Sequence, residues 1–260
     1  MPEIQVSHEG PVARVIISYP ERHNALTHGM LLQMPGIFDE LGRDPQTRVI
    51  VVTGATREAF AAGGDISEFE SKRSHRADEN KYIADTNRAL LAPVSCAKPV
   101  IASIRGFCMG GGLQLAVACD IRIVADDAVF RMPAARLGVG YPPAGIERFI
   151  AVIGASNTID LFIAARKFDA QEALRMGLVN RVVADDALEA TVQDMARTIA
   201  ENAPLTVRCA KTVVGELMKE AQDRNIAATE RAVEACFQSA DYQEGQAAFM
   251  EKRKPRFIGA

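Results

Sequence analysis

Three short apolar runs constrain the fold of this chain more than any other feature. They are Val49-Ile50-Val51-Val52-Thr53, Val100-Ile101-Ala102-Ser103-Ile104 and Ile121-Arg122-Ile123-Val124-Ala125. The first ends at Gly54 and the second at Arg105-Gly106. Short runs rich in β-branched residues, bounded by turn residues, predict strands buried on both faces. Helical stretches lie between them. Strand–helix–strand alternation predicts an α/β fold, with parallel strands joined by helical crossovers.

The rest of the chain is read around these strands. Residues 4–8 and 12–18, parted by Glu9-Gly10-Pro11, predict a hairpin. A helical pattern runs from about 28 to 41, with apolar residues at Met30, Leu31, Met34, Ile37, Phe38 and Leu41. Proline removes a helical donor and crowds the preceding turn, so Pro35-Gly36 predicts a kink or two short helices. Residues 66–92 are charged and weakly periodic, and Lys72-Arg73-Ser74-His75-Arg76 reads as a solvated stretch. Past residue 185 the strand signals stop, and 188–202, 205–219, 226–237 and 242–251 read as helices. Leu205, Val207, Ala210, Val213, Val214, Leu217 and Met218 form an amphipathic stripe that can pack on the core or on a neighbouring subunit. The chain thus divides into a core, 1–185, and a helical C-terminal region, 186–260.

Composition removes several function classes. With 48% hydrophobic and 24% charged residues in 260, the chain has material for a large core in one or two domains, which excludes disorder. Its 30 basic and 33 acidic residues leave a net charge of −3, so no cationic surplus exists to meet a nucleic-acid backbone. No apolar run approaches the roughly 18 residues of a membrane span. The first residues carry neither a basic region nor an apolar run, so no signal peptide is expected. Five scattered cysteines without C-x-x-C spacing read as free thiols in a reducing cytoplasm, and four histidines without ligand spacing predict no metal site.

Three clusters carry the chemistry. Phe60-Ala61-Ala62-Gly63-Gly64-Asp65-Ile66 places two glycines where backbone can approach a ligand closely, although Asp65 can equally cap a following helix. Gly106-Phe107-Cys108-Met109-Gly110-Gly111-Gly112-Leu113-Gln114 follows a strand and opens a helix. A glycine-rich helix N-terminus offers unpaired N–H groups and positive potential to an oxyanion or phosphate. Its spacing matches neither G-x-x-x-x-G-K-[ST] nor G-x-G-x-x-G, which argues against a nucleotide-phosphate cradle. The third cluster, from Phe130 to Gly145, is a loop shaped by glycine and proline. Its Tyr141 reads either as packing or as a site residue.

In this order the clusters resemble the crotonase, or enoyl-CoA hydratase/isomerase, superfamily over nearly the whole chain. Pro20-Glu21-Arg22-His23-Asn24-Ala25-Leu26 is similar to its CoA-binding loop, Ala62-Gly63-Gly64-Asp65-Ile66 and Gly110-Gly111-Gly112 to its two oxyanion segments, and Glu251-Lys252-Arg253-Lys254-Pro255-Arg256-Phe257 to its C-terminal signature. The resemblance implies a spiral of ββα units with a helical C-terminal trimerisation region, assembled as homotrimers or hexamers. It implies an acyl-CoA thioester substrate that carries its own coenzyme A, with no separate cofactor. The amides of Gly64 and Gly111 would hold the thioester oxygen. Ala62, Asp65 and Ile66 belong to the first binding segment. Arg22 and Lys252, the latter from an adjacent subunit, would meet the CoA phosphates.

The chain departs from that pattern at two places. Hydratases of the family use two glutamates, one shortly after the glycine triplet and one after the proline of the third cluster. Here those positions hold Gln114 and Ala134, and neither can act as acid or base. Glu68 is a further carboxylate near the first segment, with a surface role as the alternative. Leu137-Gly138-Val139-Gly140-Tyr141 resembles the corresponding loop of methylmalonyl-CoA decarboxylase, where a tyrosine faces substrate. Three readings follow: a hydratase in the broad family sense, a decarboxylase-like lyase using Tyr141, and a non-catalytic acyl-CoA binder.

Overall fold

The computed structural model describes residues 1–68 and 76–260; Lys72-Arg73-Ser74-His75 of the charged stretch lie outside them. The chain opens with β1 (Glu3–Glu9) and β2 (Val12–Ser18), an antiparallel hairpin as the sequence predicts. Helix α1 (His28–Arg43) follows, capped by the Thr27 hydroxyl, which accepts from the Met30 amide. Pro35 lies inside it, and the helix neither ends nor divides there. The lost donor costs only the bond to the Leu31 carbonyl. Burial of Met30, Leu31, Met34, Phe38 and Leu41 on one face holds the turns on either side.

Three ββα units then repeat. The first is β3 (Val49–Gly54), β4 (Ala59–Ala61), α2 (Arg76–Leu90) and α3 (Ala92–Ser95). The second is β5 (Val100–Ile104), β6 (Phe107–Met109) and α4 (Gly111–Ala118). The third is β7 (Ile121–Ala125), β8 (Val129–Arg131), α5 (Ala134–Leu137) and α6 (Pro143–Ala164). Strand β9 (Phe168–Asp169), helix α7 (Ala170–Arg175) and strand β10 (Arg181–Val183) complete this part. In each unit the first strand joins one sheet and the second strand joins another. Among the described residues the larger sheet has the order β1-β2-β3-β5-β7-β10 and the smaller β4-β6-β8-β9. From β2 to β10 the larger sheet pairs in parallel, as do β4, β6 and β8. Each unit therefore stacks on the last, and the chain advances as a spiral.

The three founding strands are buried on both faces, as their composition predicts. Ile50, Val52, Val100, Ala102, Ile104 and Val124 point into the main core. Their alternate neighbours Val49, Val51, Ile101, Ile123 and Ala125 point the other way. That second face is sealed by Leu188, Val192, Ala196 and Ala200 of helix α8 (Leu188–Glu201), spaced four apart along one stripe. Full burial of Leu188 and Val192 contributes about 1.5–3 kcal/mol each.

Helices α9 (Pro204–Leu217), α10 (Ile226–Phe237) and α11 (Ala240–Met250) end the chain, close to the sequence expectation. Lys211 of α9 ties this region down. Its ammonium donates to the Pro93 and Lys98 carbonyls at 2.9 and 3.0 Å and to Asp120 at 2.7 Å. No helix among the described residues is long and apolar enough to cross a membrane. All five cysteines are free, and burial pushes the Cys119 thiol up to about 12.

Candidate active site

Two glycine segments from successive ββα units meet at one point. In the first, β4 leads through Ala62 and Gly63 to Gly64, and Leu26 lies alongside Gly64 in a parallel bridge. The Leu26 amide donates to the Gly63 carbonyl at 2.7 Å, and the Asp65 amide donates to the Leu26 carbonyl at 2.9 Å. Those bonds use the amides beside Gly64. Its own N–H points to the opposite side, because successive amides of an extended chain alternate. Gly63 permits this path with φ of 102°, a region that side chains rarely adopt.

In the second segment β6 turns through Gly110 into α4. Gly111 is the first helical residue, so its N–H has no helical carbonyl partner. The next residue explains the close approach of the two segments. A Cβ on Gly112 would stand 2.6 Å from the Ala61 carbonyl oxygen and 2.7 Å from the Ala61 Cβ, so only glycine lets α4 enter against β4. A Cβ on Gly111 would lie 3.7 Å from the Gly64 nitrogen. The two N–H groups thus share one small space, with the positive end of α4 behind it. Convergent amides of this kind can stabilise an oxygen on which negative charge develops.

This space opens into a cavity of about 310 Å³. Ala62, Gly64 and Ile66 of the first cluster and Gly111 and Gln114 of the second line it. The third cluster contributes Ala134 and Tyr141. All three clusters therefore converge. The fourth wall is α2, with Tyr82, Ile83, Thr86, Asn87 and Leu90. Sequence reading missed these residues, because 66–92 is charged and weakly periodic and gives no amphipathic signal.

Gln114 is buried, and its Nε2 donates to Asn87 Oδ1 at 3.4 Å. Ala134, also buried, presents only a methyl group. Tyr141 packs edge-on against Phe162, with ring centroids 5.2 Å apart, and Phe162 packs likewise on Phe149. Packing and site-lining thus coincide in this tyrosine. Glu68 does not line the cavity: its Oε2 accepts from the His28 amide at 2.7 Å, at the first turn of α1.

Of the residues expected at the coenzyme, Ala62 and Ile66 line the cavity, and Arg22, Asp65 and Lys252 lie outside its lining. Asp65 is buried, and its Oδ1 accepts from the Ser67 hydroxyl at 2.7 Å, the Ser67 amide at 3.0 Å and Arg22 Nη1 at 3.1 Å. Burial alone would raise this carboxyl, but the Ser67 bonds and the Arg22 charge hold it below the usual carboxylate value. Asp65 thus caps the turn Ile66–Glu68 and fixes Arg22, the capping alternative of the sequence reading. Arg22 also donates to Ser67 Oγ at 3.0 Å and stays half exposed. Lys252 stands on the exposed turn after α11, apart from the cavity lining.

Comparison with known proteins shows the family of this chain. The family model for enoyl-CoA hydratase/isomerase matches residues 7–260. The short-chain-enoyl-CoA hydratase of Clostridium acetobutylicum is 35% identical over 95% of this chain and 94% of its own length. The crotonyl-CoA hydratase of Syntrophomonas wolfei is 34% identical over 96% and 95%. Among solved structures, an enoyl-CoA hydratase/carnithine racemase from Magnetospirillum magneticum superposes with a TM-score of 0.93 at 35% identity, covering 100% of this chain and 97% of that one. An enoyl-CoA hydratase from Bacillus anthracis gives 0.90 at 30% identity, with 99% of each chain covered. The chain belongs to the enoyl-CoA hydratase/isomerase family, within the crotonase superfamily.

Proposed function

We propose that this protein binds an acyl-CoA thioester with its carbonyl oxygen between the amides of Gly64 and Gly111, and turns it over through the thioester enolate. The convergence of those two N–H groups on one cavity carries this reading. Each donor to a developing oxyanion is worth about 3–4 kcal/mol. The half-exposed Arg22, held by Asp65, meets a CoA phosphate, and Lys252 does so from a neighbouring subunit of a trimer-based assembly. Free cysteines fit a cytoplasmic protein.

The named relatives favour a hydratase, yet Gln114 and Ala134 stand where hydratases of the family carry glutamates. General acid–base catalysis contributes about 10²–10⁴-fold, so water addition is weakened by both departures. A second reading, loss of CO₂ from a malonyl-type thioester, is favoured by Tyr141, which lines the same cavity as the two glycines. Decarboxylation itself delivers the enolate, so no base need remove a carbon-bound proton.

Specificity constants for crotonyl-CoA and methylmalonyl-CoA, measured side by side, test these readings. Wild-type hydration of crotonyl-CoA is expected to be slow, and Gln114→Glu with Ala134→Glu should raise it more than either change alone. Tyr141→Phe should impair decarboxylation. Fast wild-type hydration, indifferent to Tyr141→Phe, removes the decarboxylase reading. Binding of both thioesters without turnover of either reduces the protein to an acyl-CoA binder.

A further inference from the structure

A second crevice lies at the joint between the core and the C-terminal helices, and its charge is one-sided. It holds about 190 Å³ and shares no lining residue with the cavity of Gly64 and Gly111. That is room for about six waters at roughly 30 Å³ each. Arg48 at the entry to β3, Lys98 at the entry to β5 and Arg208 in the second turn of α9 all line it, with Asn202 between α8 and α9. No carboxylate side chain does. In a chain whose net charge is −3, three cations converging on one small crevice are a local departure.

These cations are unevenly satisfied. Arg48 donates from Nη1 to the Ala200 carbonyl at 2.9 Å and from Nη2 to the Phe257 carbonyl at 2.7 Å, which fixes its guanidinium at the joint and leaves its other N–H groups to spare. Among the described residues, neither the Lys98 nor the Arg208 side chain forms an ion pair or a hydrogen bond. Burial lowers the Lys98 ammonium from its ordinary value; the Asp44 charge opposes this, and the Arg208 and Arg48 charges add to it. Asp44 is engaged on its own loop, where Oδ2 accepts from the Thr47 hydroxyl at 2.6 Å and Oδ1 from the Gln46 amide at 3.0 Å. An anion among the three cations relieves their mutual repulsion and supplies the acceptors that Lys98 and Arg208 lack.

We propose that Arg48, Lys98 and Arg208 form a binding site for a phosphate-type anion, separate from the thioester site. Cations that enter from three elements suit a tetrahedral oxyanion, whose oxygens accept from several directions; a planar carboxylate matches a single guanidinium fork. The anion joins α9 to the loops before β3 and β5, and Arg48 carries the contact on to the end of α8 and to the tail at Phe257. It thereby fastens the C-terminal helices to the core. The inference does not depend on the acyl-CoA reading. The shared chemistry is a phosphate dianion, supplied free or as a monoester.

Calorimetric titration of the full-length protein with inorganic phosphate, at fixed pH and with ionic strength held constant by chloride, tests this. Wild type should bind phosphate saturably, and phosphate should raise its melting temperature above that of the chloride control. Lys98→Gln and Arg208→Gln should each weaken binding about tenfold, the scale of one charge-assisted hydrogen bond, and remove the thermal shift. Arg208 is exposed, so Arg208→Gln tests the site even where Lys98→Gln fails to fold. Arg22→Gln separates this crevice from a coenzyme phosphate site and should leave the binding unchanged. Methyl phosphate distinguishes the sources: binding as tight as that of phosphate identifies a site open to a phosphomonoester, and weaker binding one closed around the free ion. Absence of saturable phosphate binding overturns the site, as does a melting temperature no higher than in chloride. Binding that survives Arg208→Gln and is lost in Arg22→Gln overturns it too, because phosphate then occupies the place of the coenzyme.

Discussion

Adjacent glycines at the start of α4 do different work, and single methyl groups separate their roles. A Cβ on Gly111 would meet Leu90 Cδ1 at 3.4 Å and the Gly64 nitrogen at 3.7 Å, which are ordinary contacts. Gly111→Ala should therefore fold with an almost unchanged melting temperature, while its methyl occupies the space before the Gly64 N–H. Turnover of an identified substrate is expected to fall about 10²-fold, the scale of losing one oxyanion donor. The Gly112 Cβ has no such room against Ala61, so Gly112→Ala should cost about 1–3 kcal/mol by overpacking. Melting curves read together with turnover distinguish the two, and wild-type turnover by Gly111→Ala would remove the two-amide site. Both glycines were legible in the sequence, since three in a row at a helix start cost helix stability and needed a reason. Thr86 and Asn87 were not. They lie on a helix whose polar residues face a cavity, and a cavity wall leaves no hydrophobic periodicity to read.

At the scale of elements, α4 is anchored from its far end. Arg122 on β7 is buried, and its guanidinium donates to the Leu178 carbonyl at 2.7 Å and to the Cys119 and Ala116 carbonyls at 2.6 and 3.4 Å. The last two lie at the C-terminal end of α4, where a cation complements both the unpaired carbonyls and the helix dipole. Arg122→Ala strands the Leu178 and Cys119 carbonyls, while the Ala116 carbonyl keeps the Cys119 amide, and should cost about 3 kcal/mol, lowering the melting temperature by roughly 6–12 °C. An unchanged melting temperature would show that water replaces the guanidinium. A second anchor is titratable. Glu244 of α11 accepts from Arg253 at 2.5 and 2.8 Å and from the Arg256 amide at 2.8 Å, and Arg253 holds its carboxyl down at about 2. A depressed carboxyl stabilises the fold above its unfolded value, near 4.5, and that contribution disappears as pH falls toward 2. The protection factor of the Arg256 amide, its exchange rate relative to the intrinsic rate at each pH, should fall across that window, and Glu244→Gln should make the protection factor independent of pH there. The strands of the larger sheet were legible because burial on both faces makes them continuously apolar. The three-residue strands β4, β6 and β8 were not, since pairing between successive units defines them and no local pattern does. Pro35 does not divide α1 into two helices for a related reason: packing of α1 outweighed one missing donor.

For the whole molecule, the C-terminal helices pose the remaining question. Helix α8 belongs to the core, but neither α9 nor α10 contributes a buried residue. The amphipathic stripe read from the sequence leaves Val214, Leu217 and Met218 of this region exposed, and Val233 and Phe237 of α10 add to it, Phe237 at 62%. Large apolar side chains gathered on two adjacent helices resemble an uncovered interface more than a solvated surface. Assembly through this face is therefore expected, with light scattering giving three or six times the subunit mass. Phe237→Asp places a charge in the apolar face and should shift the population to smaller species while far-UV circular dichroism stays unchanged, because the residue supports no core. If a neighbouring subunit supplies Lys252 to the CoA phosphates, the dissociated variant should show a raised KM for acyl-CoA and a smaller change in kcat, since the Gly64 and Gly111 amides both come from one chain. A wild-type protein that remains monomeric across micromolar concentrations, with an unaltered KM in Phe237→Asp, would mean that each chain binds its thioester alone and that the exposed helices serve some other contact.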